Sequence, residues 1–219
     1  MHVLVNAAIS ADGKLSSRRR EQIAISGPED FDRVDRVRAD SDAVMVGVGT
    51  VLADDPSLTL DAPERRERRI ESGKSANPAR VVADSRARTP TDARVLDDEA
   101  TTYVLVADAA PAERVAALRS AGAEIVRAGE DRVALPAALE QLEAAGIDRL
   151  MVEGGGELIF SLFEDGLVDE LSVFVGPKLI GGRDAPTLAD GEGFVEEFPA
   201  LTLEDVERLD DGVVLTWIA

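Results

Sequence analysis

Cysteine is missing from this 219-residue chain and histidine occurs once, as His2. That excludes disulfides, thiol nucleophiles and zinc centres built from His and Cys. Lysine is nearly as scarce, with Lys14, Lys74 and Lys178 the only three, and aromatic residues make up 4% of the chain. No apolar run approaches the ~18 residues that cross a bilayer, and the N-terminus lacks a charged region followed by an apolar stretch. A cytoplasmic protein without a membrane partner is therefore expected. Any catalysis falls to carboxylates, Lys, Arg, hydroxyls or a bound cofactor.

What the chain has in excess is negative charge. Asp and Glu number 43 against 24 Lys and Arg, a net charge of −19. Such a surface repels nucleic acid and anionic membranes. Self-repulsion of this size is tolerable where salt shortens the Debye length, to about 3 Å at 1 M, so a halophilic host is expected. The alternative is a merely acidic mesophilic protein. Against this background Lys14 and Lys178 are conspicuous, whereas Lys74 lies in a polar stretch and reads as solvated.

Along the chain, strand and helix signals alternate. Residues 3–9 read as a strand that runs into Ser10-Ala11-Asp12-Gly13-Lys14, where Asp-Gly marks a turn. Ser26-Gly27-Pro28-Glu29-Asp30 supplies a cap, a proline for the first helical position and early acids; Phe31, Val34 and Val37 follow at helical spacing, predicting a helix that ends near Asp40. Residues 43–48 form a continuous apolar strand that stops at Gly47-Val48-Gly49-Thr50. Residues 62–77 read as a surface loop or short helix without chemistry. Strands over 80–83, 102–107, 124–127 and 149–153 then alternate with helices from Pro111 to Gly122 and from Ala134 to Gly146. A further helix carries Leu158, Ile159, Leu162 and Phe163 on one face and is closed by Gly166. Residues 171–175, 201–209 and 213–218 read as strands, the last two joined through Asp210-Asp211-Gly212 as a hairpin.

This order predicts a single α/β domain over residues 1–219, its central sheet mostly parallel, flanked by helices and finished by an antiparallel C-terminal edge. Ligands of such sheets bind beyond the carboxyl ends of the strands. Gly49-Thr50, Asp84-Ser85-Arg86 and Glu153-Gly154-Gly155-Gly156 each follow a predicted strand and are expected to line one crevice. The last is the most informative: glycines let the backbone take positive φ and approach a ligand closely, and the unpaired N–H groups of the following helix favour an anion. A phosphate cradle competes here with an ordinary glycine-rich turn. No G-x-G-x-x-G with an acid about 20 residues on is present, which argues against an ordinary Rossmann site.

Five ordered segments carry a family resemblance: Ser10-Ala11-Asp12-Gly13-Lys14-Leu15; residues 46–59, with Gly49-Thr50 and Asp54-Asp55-Pro56; Val82-Ala83-Asp84-Ser85-Arg86; Val152-Glu153-Gly154-Gly155-Gly156; and Val175-Gly176-Pro177-Lys178-Leu179-Ile180-Gly181-Gly182. Together they resemble the pyrimidinone reductases of riboflavin biosynthesis, of archaeal and fungal type, which are similar to the C-terminal reductase domain of the bacterial bifunctional deaminase-reductase. The resemblance implies a dihydrofolate-reductase-like fold, a homodimer and NADPH as hydride donor, with NADH possible. It also implies reduction of the ribosylamino side chain of 2,5-diamino-6-ribosylamino-4(3H)-pyrimidinone 5′-phosphate to a ribitylamino one. The cysteine and histidine signature of zinc deaminases is missing, so no deaminase domain is expected.

Position by position, the resemblance makes Thr50, Asp54 and Ser85 cofactor contacts, with Arg86 beside them. Gly155, Gly156, Glu157, Leu158, Ile159, Phe160 and Ser161 become the segment that meets the cofactor diphosphate, and Lys14, Leu58 and Glu153 become substrate contacts. Asp61 stands near the place where the bacterial pattern has an arginine, so the cation for the substrate's 5′-phosphate is sought among Lys14, Arg18, Arg19, Arg20 and Lys178. The chemistry gives Glu153 and Lys14 a reason: an open-chain imine accepts hydride, a carboxylate stabilises its cationic form, and a lysine can donate a hydrogen bond or proton to the sugar. Two alternatives remain at this point, a related reductase acting on a pterin or folate and a non-catalytic nucleotide-binding module.

Overall fold

The computed structural model describes residues 1–21 and 23–219. The elements are β1 (His2–Ser10), α1 (Pro28–Asp40), β2 (Ala43–Gly47), α2 (Val48–Asp54), α3 (Pro63–Glu71), β3 (Ala79–Ala83), β4 (Thr102–Val106), α4 (Ala112–Ser120), β5 (Glu124–Arg127), α5 (Leu135–Ala144), β6 (Arg149–Val152), α6 (Gly156–Glu164), β7 (Glu170–Gly176), β8 (Thr202–Leu209) and β9 (Gly212–Ile218). They fall into two compact units, one of Met1 with residues 35–151 and one of residues 2–34 with 152–219.

In the first unit β2, β3, β4 and β5 pair in parallel, β2 with β3, β3 with β4 and β4 with β5. Parallel strands covered on both faces read as continuous apolar runs, and β2 does so: Ala43, Val44, Met45 and Val46 are all buried. Val44, Val46, Val82, Val104 and Val106 share one apolar cluster with Val48 and Val51 of α2 and with Val115 and Leu118 of α4.

Several charges in this unit are taken up by the fold. Arg80, fully buried on β3, donates to the carbonyl of Val95 at 3.0 Å and to the Asp97 carboxylate at 2.7 Å. Burial pushes the Asp97 carboxyl up, but the Arg80 guanidinium, the N–H of Glu99 and nearby Arg94 together outweigh it and leave the group below its ordinary value. In α3, Arg69 is buried and donates to the carbonyls of Ala39, Ser41 and Ser75, and Arg65 pairs with Asp35 at 2.6 Å. The expectation of a surface loop or short helix over 62–77 thus resolves as α3. Lys74 is exposed, as expected, and pairs with Asp42 at 2.8 Å, while Asp42 also accepts from the N–H groups of Asp148 and Arg149.

The second unit pairs β1 with β7 in parallel and continues through antiparallel β9 to β8. Asn6 and Ser172 lie opposite each other in the β1–β7 register and both accept from Arg33 of α1, which is also paired with buried Asp30. Four polar side chains therefore satisfy one another beneath the helix. Ile25, Phe174 and Val214 form an apolar cluster. The hairpin at residues 210–212 is as expected, with Asp210 turned back to accept from the N–H groups of Glu29 and Asp30 at the start of α1. β8 ends the strand order and is exposed nearly throughout, Leu203 and Val206 included.

Mixed α/β, mostly parallel and antiparallel at the C-terminus, the architecture is the one the sequence predicts. A difference lies after β2. The apolar run predicted to extend to Val48 stops at Gly47, and α2 begins at once. The glycines flanking Val48 hide a short helix whose apolar residues Val48 and Val51 are both buried.

Candidate active site

Five of the expected contacts stand on the first unit. Thr50 lies half-buried within α2, and Asp54 is that helix's last residue. Although Asp54 as a residue is exposed, its carboxyl group is partly shielded from water, which raises its pKa from its ordinary value. Asp55 closes α2 with a left-handed φ of 41°, its N–H bonded to the carbonyl of Val51. Its carboxylate accepts from the N–H of Arg94 at 2.8 Å, pinning the Asp54-Asp55-Pro56 turn. Leu58 combines a φ of 54° with a side chain 2% exposed in the apolar cluster. A branched residue held in that region stores strain, and with its side chain in the core only its backbone is left to face a ligand.

Ser85 and Arg86 follow β3. The hydroxyl oxygen of Ser85 accepts from the N–H of Val133 at 3.0 Å, leaving its proton to donate elsewhere, and Arg86 is exposed. Asp84 before them is fully buried and accepts twice from Thr89. A cavity of about 320 Å³ opens next to this segment, lined by Ala87, Arg88, Thr89, Thr91, Arg114 and Ala117. The Thr89 hydroxyl is spent on Asp84 and Arg88 lies 3.6 Å from the same carboxylate, but the two guanidinium groups of Arg88 and Arg114 around one cavity still suit an anion. Arg88 and Arg114 were missed by the sequence reading; the first was legible as a second cation two residues after Arg86, whereas Arg114 sits in α4 and carries no local signal.

The other contacts stand on the second unit. β6 ends at Val152, Glu153 is half-buried, and Gly155 at the N-terminus of α6 has φ 97° and ψ 97°. That backbone strains any side chain. No side-chain cap serves the start of α6, so the N–H groups of its first turn are available to an anion. Of the side chains in this segment, Leu158, Ile159 and Phe160 are buried, Ser161 is half-buried and Glu157 is exposed. Gly156 has a reason of its own to be glycine. A Cβ there would come within 2.6 Å of the Thr187 carbonyl and 2.7 Å of the Asp190 carboxylate, so the chain's own packing demands this glycine.

Lys14 contacts the stretch against which Gly156 packs. Its backbone bridges to Thr187 and its ammonium donates to the carbonyl of Ala185 at 3.2 Å. The Lys14 turn and the first residue of α6 therefore meet on one stretch, 185–190. Among the other cations considered for the substrate phosphate, Arg18, Arg19 and Arg20 are exposed, and Lys178 donates to the carbonyl of Ala24. Asp61 is exposed and its N–H donates to Asp35. Among the described residues no group of three or more His, Asp or Glu is placed to hold a metal, and no helix is long and apolar enough to cross a membrane.

Residues 1–215 match the model of the RibD C-terminal domain. The chain belongs to the RibD C-terminal domain family. Within reach of that family, it is 52% identical to the 2,5-diamino-6-ribosylamino-4(3H)-pyrimidinone 5′-phosphate reductase of Archaeoglobus fulgidus, covering 98% of this chain and 96% of the relative. It is 49% identical to the protein of that name from Methanothermobacter thermautotrophicus, over 93% of this chain and 90% of the relative. A pyrimidine reductase-like protein from Corynebacterium diphtheriae has the same fold, with a TM-score of 0.85 at 18% identity, covering 99% of this chain and 91% of the other.

Proposed function

We propose that this protein reduces the ribosylamino side chain of 2,5-diamino-6-ribosylamino-4(3H)-pyrimidinone 5′-phosphate to the ribitylamino product, with NADPH as donor. The observation that carries the reading is the 52% identity, over nearly the whole of both chains, to a reductase of that name. The residues fit a dinucleotide: Gly155 at positive φ and the uncapped start of α6 suit a diphosphate. On the first unit, Thr50, Asp54, Ser85 and Arg86 are proposed as cofactor contacts in their own right, and the Arg88 and Arg114 cavity next to that segment is in keeping with a phosphate. The bound cofactor supplies a hydride. Glu153 orients the substrate and stabilises the positive charge of its open-chain imine, and Lys14 donates a hydrogen bond or proton to the sugar oxygen that ring opening releases. The backbone of Leu58 borders the substrate.

The protein acts as a cytoplasmic homodimer without nucleic-acid or membrane partners, and residues 1–219 work as one reductase domain with no deaminase motif among them. Support for the dimer comes from β8, an edge strand with Leu203 and Val206 exposed, flanked by exposed Val195 and Phe198. An uncovered edge of this kind invites pairing, and a second copy satisfies it. Val206→Lys is expected to shift the sedimentation coefficient from dimer to monomer.

The acidic excess of 43 over 24 suits a salt-rich cytoplasm. Screening at molar salt removes self-repulsion, so the melting temperature should climb as KCl rises from low to molar concentration; a flat curve would reduce the excess to a solubility feature. The reaction itself is tested by NADPH oxidation with the 2,5-diamino substrate. Absence of turnover by folded protein overturns the assignment.

A further inference from the structure

The turn that presents Lys14 is organised around a different residue. Asp12 accepts three hydrogen bonds: Oδ1 from the Ser10 hydroxyl at 2.6 Å and from the N–H of Ile180 at 3.0 Å, Oδ2 from the N–H of Gly181 at 2.7 Å. The Ser10 oxygen, fully buried, in turn accepts from the N–H of Lys14 at 2.9 Å. The turn is closed by the N–H of Ser10 donating to the Lys14 carbonyl, while Ala11 donates to the Lys178 carbonyl and Leu15 to the Pro186 carbonyl. One carboxylate thus fixes the turn from inside and ties it to the chain that leaves β7. That chain continues to Thr187 and Asp190, against which Gly156 packs, and the N–H of Asp190 donates to the Gly156 carbonyl at 3.0 Å.

We infer that Asp12 is a positioning residue: through Ser10 on one side and the N–H groups of Ile180 and Gly181 on the other, it holds the Lys14 cation in register with the stretch 185–190 that abuts the start of α6. The inference rests on the roles proposed above for Lys14 and for α6. An ionised carboxylate suits the position, because all three of its partners are donors and only a group that accepts at both oxygens satisfies them. Asp12 touches neither reactant in this scheme and acts through Lys14.

Asp12→Asn is the test, since it keeps the shape but sets an amide donor against an N–H or hydroxyl donor. Hydrogen exchange read by mass spectrometry should speed by about tenfold over residues 12–15 and 178–187 while β2, β3 and β4 keep their protection. With the pyrimidinone substrate, kcat should fall about tenfold, with the Kd for NADPH changing by less than about twofold. In a Lys14→Gln background the same substitution should cost no further kcat, because both changes disable one device. Ser10→Ala, which removes the hydroxyl that joins Asp12 to the Lys14 N–H, should show the same exchange pattern over residues 12–15 and serves if Asp12→Asn folds poorly. Unchanged exchange in either variant, or losses from Asp12→Asn and Lys14→Gln that multiply, would overturn the inference. Lack of turnover by the parent protein would instead overturn the proposed reaction, with the exchange result still deciding whether Asp12 couples the two segments.

Discussion

Two strands in this protein run directly into helices through glycine, and they use the glycine differently. At the β2–α2 junction the N-terminal cap is Gly47, with φ −75° and ψ 150°, a conformation open to every residue. Gly49 beyond it is exposed, and a Cβ added there meets nothing within 4 Å. At the β6–α6 junction the cap is Gly155 at φ 97°, followed by a Gly156 whose Cβ would strike the Thr187 carbonyl and the Asp190 carboxylate. Neither helix has a side-chain cap. The comparison teaches that a glycine-bearing strand end is required to be glycine only where backbone conformation or a close neighbour demands it, and here that is the second junction.

Substitutions at the two junctions test that contrast. The largest effect is expected from Gly155→Val, where a β-branched side chain resists positive φ and blocks approach to the helix start; NADPH affinity by fluorescence titration should fall by about 100-fold or more, and unchanged affinity would end the case for a diphosphate cradle. Glu153→Gln, two residues earlier, keeps shape and removes charge. It should lower kcat by roughly 10²-fold with little change in substrate affinity, as for one lost electrostatic contact in the transition state. Gly156→Ala should lower stability by about 1–3 kcal/mol, the cost of forcing a methyl group into a filled space, read by urea denaturation. Gly49→Ala should do the opposite and raise stability by up to about 1 kcal/mol, since its backbone accepts alanine and the unfolded chain loses freedom. A loss of stability there comparable to that at Gly156 would erase the distinction between the junctions.

Much of the fold was legible because strand and helix periodicities differ and because glycine and proline punctuate them. The strand Glu124–Arg127 appears where it was predicted, and Pro28 opens α1 as its sequence indicated. The short helix α2 was not legible, since Gly47-Val48-Gly49 reads as a break. Nor were the buried arginines: Arg69 and Arg80 look like solvated charges in sequence, and only a surrounding set of carbonyls, with Asp97 for Arg80, makes their burial affordable. Within the candidate site, Glu153, Lys14 and the glycine turn stood out by residue type. Thr187 and Asp190 did not, because their part depends on a chain segment that returns to Gly156 from some thirty residues away.

By itself, the sequence determined the α/β class, the order of the strands and of helices α1, α4, α5 and α6, the acidic excess, and the residues proposed for the site, because each follows from local periodicity, turn chemistry, residue type or charge. Tertiary structure alone decided that Leu58 turns its side chain into the core, that Gly156 is demanded by Thr187 and Asp190, and that Asp12 spans from the Lys14 turn to Ile180 and Gly181. The physical reason is the range of the forces involved. Propensity and capping act within a few residues, whereas steric exclusion and the pairing of a carboxylate with backbone N–H groups depend on which distant segments the packed chain brings within about 3 Å.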